Sequence, residues 1–364
     1  MDITERSILI WLNSLGIGNS NIEKIMDDFC DLRDLWESSI KQIDAIKCLR
    51  RETKEKIIQN RNYKNIEKLF KDIEKQNINI ITVYDEDYPV GLEYITDNPK
   101  VLYTKGKVIE DDKLSIAIVG SRKATSYGKW ACEKFTKELV NMDVTIISGL
   151  ASGIDTIAHM TALDCGGQTV GVLGNGIDIV YPKRNLSLYG EMEKHGTIIS
   201  EFPIGTPPLA FNFPLRNRII SGIARGIIVI EAQEKSGSLI TAHHALDQGK
   251  DVFALPGNIN SIFSGGTNKL IKDGAKPLLD IDDIVEEIYE LREKIKSKKI
   301  DNIDYSNYSE TETKIIKALE EGPMHTDTIA YKTGIDISTV NSILTILELK
   351  GVIKEMSSSI FIIN

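Results

Sequence analysis

The sequence predicts an α/β protein: a covered, mostly parallel sheet in the middle of the chain, a small helical part before it, and a helix-and-hairpin part after it. Three observations carry this. From Leu114 onward, runs such as Ile116-Ala117-Ile118-Val119 show almost no polar alternation, and each is followed by an amphipathic stretch, the pattern of parallel strands buried on both faces. Segments rich in glycine and serine stand where those strands end and helices begin, where backbone N–H groups and helix dipoles can hold anions. Beyond a charged stretch, three helical segments and two terminal strand-like runs outline a separate small domain.

Taken in order, residues 1–75 show helical periodicity, as in Ile8-Leu9-Ile10-Trp11-Leu12 and Ile66-Glu67-Lys68-Leu69-Phe70, and form a helical domain of SAM or helix-hairpin-helix type. Leu15-Gly16-Ile17-Gly18-Asn19-Ser20 reads as a tight turn between two of its helices, either structural or placed to touch a nucleic-acid backbone. Residues 76–280 form an extended Rossmann-like domain. Its first strands are Asn77 to Tyr84 and Val101 to Thr104, followed by 115–120, 144–148, 169–173, 197–200, 227–231 and 251–254. Helices are expected over 127–141, 153–164, 185–195, 216–224, 239–248 and 267–273.

Residues 281–307 are charged and read as a helix running into a solvated linker. Over 308–364, Ser309-Glu310-Thr311-Glu312 starts the first of three helices, and Val352-Ile353-Lys354 pairs with Ile360-Phe361-Ile362-Ile363, which makes a winged-helix domain. The turn Met356-Ser357-Ser358-Ser359 lacks a glycine, which leaves the wing geometry open.

Net charge is −9, yet residues 114–279 hold 16 Lys/Arg against 14 Asp/Glu, leaving −11 for the rest. A polyanion should therefore prefer the middle of the chain, held by a few placed cations rather than a broad basic face. No apolar run is long enough to cross a bilayer and the start lacks an export pattern, so the expected address is the cytoplasm. Cys30, Cys48, Cys132 and Cys165 make no metal or redox pair and read as reduced thiols.

Gly120-Ser121-Arg122-Lys123 closes the first parallel strand: glycine permits close backbone approach and Arg122 is a two-pronged phosphate donor. Ser148-Gly149 with Ser152-Gly153 is expected to do the same one strand over. Tyr181-Pro182-Lys183 and Phe211-Asn212-Phe213-Pro214-Leu215-Arg216-Asn217-Arg218 join aromatic rings to cations, the ingredients for stacking bases and holding phosphates. Ser236-Gly237-Ser238 either offers donors at another helix start or only caps its own helix. Asp155 and His159 share a helix face, as a first-turn acid with a structural histidine or as a proton-transfer pair. No nucleophile with a base and no metal-ligand spacing emerges, so no catalytic residue, metal or cofactor is assigned.

The ordered series of these motifs, with Gly176-Ile177-Asp178, Ser200-Glu201-Phe202-Pro203 and Phe253-Ala254-Leu255-Pro256-Gly257, resembles the DNA-processing protein A family, also called DprA or Smf. The likeness is dense over 110–280, and the helical front and winged tail also fit. The resemblance implies a non-enzymatic single-stranded DNA-binding protein of natural transformation and recombination. It would protect incoming single strands, dimerise through its Rossmann-like domain and help load the RecA recombinase. It also implies that Arg122 is the phosphate-gripping arginine of the Gly-Ser-Arg motif, with Lys183, Arg216, Asn217 and Arg218 as further DNA contacts.

Two other functions fit the residues less well. A nucleotide phosphoribohydrolase of the lysine-decarboxylase-like type requires a Pro-Gly-Gly-x-Gly-Thr-x-x-Glu motif, and Ser236-Gly237-Ser238-Leu239-Ile240-Thr241 has no following glutamate. A winged-helix transcription regulator needs a cationic recognition helix, whereas residues 308–364 carry 5 Lys/Arg against 8 Asp/Glu. The winged helix is therefore expected to contact protein or its own chain.

Overall fold

The computed structural model describes residues 3–108, 113–301 and 305–363. Met1-Asp2, at the expected cytoplasmic start, and residues 302–304 of the expected linker lie outside the described residues. The chain divides into two compact units, one ending at Ile288 and the other beginning at Tyr289.

In the first unit the front is helical, beginning with Glu5–Ser14, Asn19–Asp28 and Leu32–Glu37 and ending with Tyr63–Lys75. Thr4 and Ser7 form a reciprocal capping box at its start. Ile8, Leu9, Trp11, Leu12, Ile22 and Ile25 are fully buried, each contributing about 1.5–3 kcal/mol of burial free energy. Gly16 turns the first helix into the second at φ +72°.

The sheet has nine strands: β1 (Asn79–Thr82), β2 (Val101–Gly106), β3 (Ser115–Val119), β4 (Thr145–Ser148), β5 (Thr169–Val172), β6 (Thr197–Ser200), β7 (Gly226–Val229), β8 (Asp251–Ala254) and β9 (Lys276–Pro277). Their order is β1-β2-β6-β5-β4-β3-β7-β8-β9. From β6 to β9 every pairing is parallel, while β1 and β2 attach antiparallel at one edge. The six expected parallel strands appear within a residue or two at each end. β9 was not anticipated, because two residues including a proline give no periodic signal.

Alternate residues of each strand face opposite layers. Ala117, Val119, Ile147, Val172 and Val229 pack beneath helices Asn212–Ile223, Gly237–Asp247 and Gly265–Lys272. Helices Ser126–Asn141, Ile154–Asp164 and Leu186–His195 cover the other face. The chain winds outward from β3 through β4, β5 and β6, then resumes at β7 on the opposite side of β3. β3 and β7 are therefore the topological switch point of a doubly wound sheet, where a crevice opens beyond their carboxyl ends.

The second unit contains helices Tyr289–Asp301, Glu310–Glu320, Thr326–Thr333 and Ile337–Leu349, with a sheet of β10 (Met324–His325), β12 (Ile360–Ile363) and β11 (Ile353–Ser357) in that order. Ser309 and Glu312 form its capping box, and Ile315, Ile316, Leu319, Ile329, Val340 and Leu344 form its core. This is a winged helix. Its wing turns through Ser359 at φ +67°, a left-handed conformation reached here without glycine.

Candidate nucleic-acid interface

At the switch point an open crevice of about 680 Å³ is lined by Gly120, Ser121, Arg122 and Lys123 after β3, by Arg216 and Asn217 on helix Asn212–Ile223, and by Ser236, Gly237 and Ser238 at the start of helix Gly237–Asp247. Tyr181, Phe213, Gln233 and Thr241 complete much of its wall. Nine of the residues singled out in the sequence thus converge from three segments far apart in the chain.

Arg122 is exposed, and among the described residues it makes no ion pair. Its guanidinium carbon lies 5.6 Å from the centroid of the Phe213 ring, while that of Arg216 lies 6.0 Å away. Tyr181 tilts against Phe213 with centroids 5.5 Å apart, and its backbone is held by Tyr189, whose hydroxyl donates to the Tyr181 carbonyl at 2.9 Å. Two rings and a free guanidinium therefore meet in one place, able to stack a base and pair with its phosphate. Of the phenylalanines expected to stack bases, Phe211 does not reach the site. That ring is exposed outside the crevice wall, and Phe213 occupies the site instead, because Phe211 sits one residue before its helix begins. Lys183 is exposed on a short turn after Tyr181-Pro182 and does not line the crevice.

The second turn behaves differently from its expected anion-binding role. Ser148 Oγ donates to the Ile118 carbonyl at 2.7 Å, and the N–H groups of Gly149 and Ala151 both point to Asp155 Oδ2, at 3.2 and 3.4 Å. These two amides are held by the buried Asp155 carboxylate and the Ser148 hydroxyl by the sheet. Burial raises the pKa of Asp155, opposed by the nearby Arg216 and Arg122 charges and by these amides. Ser152 lines a smaller cavity of about 40 Å³ beside Arg122, Tyr181 and Phe213. Gly153, at φ +81°, lets the two turns interlock: a Cβ there would sit 2.3 Å from the Ser121 carbonyl oxygen. Ile154 N–H donates to that same carbonyl at 3.1 Å. Gly153 is thus a spacer that seats the Arg122 loop.

Arg216 is buried, and burial pulls its pKa down to about 10, so it remains a cation at neutral pH. It donates to the Gly149 carbonyl at 2.8 Å and to the Val172 carbonyl, and its Nε donates to Asn217 Oδ1 at 3.2 Å. It therefore supplies fixed positive charge to the wall while pinning the strand ends. Arg218 points away from the crevice. Its Nη1 and Nη2 donate to the two oxygens of Glu201 at 2.8 and 2.7 Å, with both side chains only 7% exposed. Glu201 in turn accepts from Asn19 Nδ2 at 2.8 Å, tying the helical front to the sheet. The expected DNA contact at Arg218 is thus a buried structural ion pair.

Ser236 caps helix Gly237–Asp247 and also lies in the crevice wall, so both of its expected roles are compatible: its Oγ contacts Ser238 Oγ at 2.8 Å and accepts from Ser238 N–H at 3.4 Å. His159 is completely buried. Its Nδ1 donates to Thr169 Oγ1 at 2.7 Å, since that hydroxyl itself donates to the Ile146 carbonyl. Burial pushes its pKa down to about 3, which makes it neutral and structural. Among the described residues no cluster of His, Cys, Asp and Glu is placed to hold a metal ion, and no helix is long and apolar enough to cross a membrane.

Fold and crevice together define a Rossmann-like protein with an open crevice at its switch point, lined by cations, helix-start serines and aromatic rings. The profile of the family described as DNA recombination-mediator protein A matches residues 79–289, and that of the DprA winged helix domain matches 306–357. The chain belongs to the DprA/Smf family. It is 43% identical to the DNA processing protein DprA of Bacillus subtilis over 63% of this chain and 77% of that protein. It is 31% identical to protein Smf of Synechocystis over 95% of this chain and 96% of that one. Among solved structures, DNA processing protein A of Streptococcus pneumoniae superposes with a TM-score of 0.68 at 36% identity, over 79% of this chain and 99% of that chain. The Helicobacter pylori protein, whose structure concerns its single-stranded DNA binding mode, superposes with a TM-score of 0.54 at 30% identity, over 60% and 96%.

Proposed function

We propose that this protein binds single-stranded DNA without sequence preference, holding the backbone with Arg122, Lys123 and the fixed charge of Arg216 while Phe213 and Tyr181 stack bases. The observation that carries this reading is the exposed Arg122 guanidinium above the Phe213 ring at the switch point. The Helicobacter pylori relative supports it by the ligand its structure concerns. The role is that of a binder without catalytic turnover: Asp155 and His159 are occupied with backbone and threonine partners rather than with each other.

In the cell the protein acts in the cytoplasm as a homodimer formed through the Rossmann-like domain. There it protects incoming single strands during natural transformation or recombination and helps load RecA. The family resemblance and the recombination-mediator description of the matched profile support this part.

The test is a gel-shift titration with single-stranded and duplex oligonucleotides of unrelated sequence at several salt concentrations. Arg122→Ala should weaken single-strand binding for all sequences and reduce the slope of log affinity against log salt by roughly 0.7. Unchanged affinity would remove the crevice from consideration. RecA loading is tested separately, by whether the protein shortens the lag of RecA assembly on single strands coated with single-strand-binding protein.

A further inference from the structure

Helix Ser126–Asn141 begins directly after Arg122 and Lys123, and the outer face it presents is unusual for a surface helix. Tyr127 and Trp130 are 46% and 57% exposed, and their rings stack with centroids 6.0 Å apart at 24°. Lys134 Nζ lies 5.9 Å from the Trp130 ring and 5.0 Å from that of Phe135, and Lys137 is exposed one turn further on. Positions 127, 130, 134 and 137 follow helical spacing, so they form a single stripe about 15 Å long.

Exposed aromatic rings would ordinarily be buried to remove apolar surface from water. Here the rings are interleaved with cations and lead away from the crevice. The other charged groups on this helix are Lys129, Glu133 and Glu138. Glu133 is exposed at the margin of the stripe, and Glu138 has one carboxylate oxygen enclosed. Lys129 lies on another face, so with Arg122 and Lys123 counted the stripe carries four cations, with the two acids at its margins. Tyr127 is held in place because its hydroxyl donates to the Pro256 carbonyl at 3.1 Å.

We infer that this stripe is a second stacking platform for single-stranded nucleic acid, which receives the strand as it leaves the crevice past Arg122. The inference rests on the reading of the crevice as a single-strand site. It assigns to Trp130 a base-stacking role, to Tyr127 support of that ring, and to Lys134 and Lys137 contacts with the phosphates. A second copy of the chain is the competing occupant. The run of lysines disfavours it, since two copies meeting at this face would bring like charges together.

Oligothymidylates of about 4 and about 16 nucleotides separate the two sites, the shorter filling the crevice alone. Trp130 is the most exposed of the three tryptophans, so its emission should be quenched by the longer oligonucleotide and not by the shorter. Trp130→Ala should weaken binding of the longer one by about five-fold or more and leave the shorter unaffected. Lys134→Ala with Lys137→Ala should lower the salt slope for the longer one alone, by roughly 0.7 per lysine. Equal affinity of Trp130→Ala and the parent for the longer oligonucleotide overturns the stripe while leaving the crevice intact. A parent that binds neither length shows instead that the crevice reading has failed. If Trp130→Ala shifts the sedimentation coefficient without changing DNA affinity, the face is an interface between copies and the proposal is wrong.

Discussion

Replacing Glu201 with alanine should be one of the most damaging single changes in the first unit, and the reason can be worked from the geometry. The Arg218 guanidinium would remain in a site only 7% exposed, losing both Glu201 oxygens. It would keep the Asp97 and Leu215 carbonyls as acceptors at 3.1 and 3.2 Å and the half-exposed Asp97 carboxylate at 3.6 Å. A buried cation left with only this longer, half-exposed partner costs about 3 kcal/mol, the low end for a broken buried pair. Loss of the Asn19 hydrogen bond to the same carboxylate adds about 1 kcal/mol. For a unit of this size, the sum should lower the melting midpoint by roughly 10 °C. The assay is thermal and urea unfolding of the parent, Glu201→Ala, Arg218→Met, and the double variant. The double variant should recover most of the loss, because removing both charges leaves no buried ion to solvate. Arg218→Met should also leave the salt slope of DNA binding unchanged, in contrast to Arg122→Ala. The assignment is refuted if Glu201→Ala melts with the parent, or if Arg218→Met flattens the salt slope while the fold stays as stable.

Gly153→Ala should destabilise the protein by at least about 2 kcal/mol, since φ +81° suits only glycine and the new methyl meets the Ser121 carbonyl. It should also weaken DNA binding by displacing the Arg122 loop, which oligonucleotide titration of the folded fraction would detect. Phe213→Leu should reduce single-strand affinity about five-fold or more at every salt concentration without altering the slope, because it removes stacking and no charge. For His159, held neutral with its pKa near 3, the unfolded chain binds the extra proton below about pH 6.5. Its contribution is complete above that pH and is lost as pH falls toward 3, at about 1.4 kcal/mol per pH unit. The difference in unfolding free energy between the parent and His159→Leu should therefore shrink on acidification. A pH-independent difference would show that the imidazole is not buried neutral.

Much of the fold was legible because its signals are local. Unbroken runs of Ile and Val mark strands covered on both faces, and capping boxes such as Ser309 with Glu312 mark helix starts, so each can be read within a dozen residues. β9 and β10 could not be read that way: two-residue strands exist only because a neighbouring strand offers them hydrogen bonds. For the site, Gly120-Ser121-Arg122 and Ser236-Gly237-Ser238 were recognisable from residue type and position at strand ends.

Within one short run, Phe211, Phe213, Arg216 and Arg218 look equally suited to gripping DNA, and sequence has no means of ranking them. Three-dimensional packing separated them. Helix Asn212–Ile223 turns Phe213 into the crevice and Arg216 into its wall, leaves Phe211 outside, and delivers Arg218 to Glu201, a partner 17 residues away in sequence. Likewise, the amides of Gly149 and Ala151 are drawn away from ligand because Asp155 folds back over them. The amino-acid order alone thus determined the layers and the chemical kinds of group at the strand ends, while the strand order that places the switch point between β3 and β7 came from the fold. Which of those groups faces solvent was decided only by burial, because a charge or amide enclosed by the fold must find its partner inside the protein.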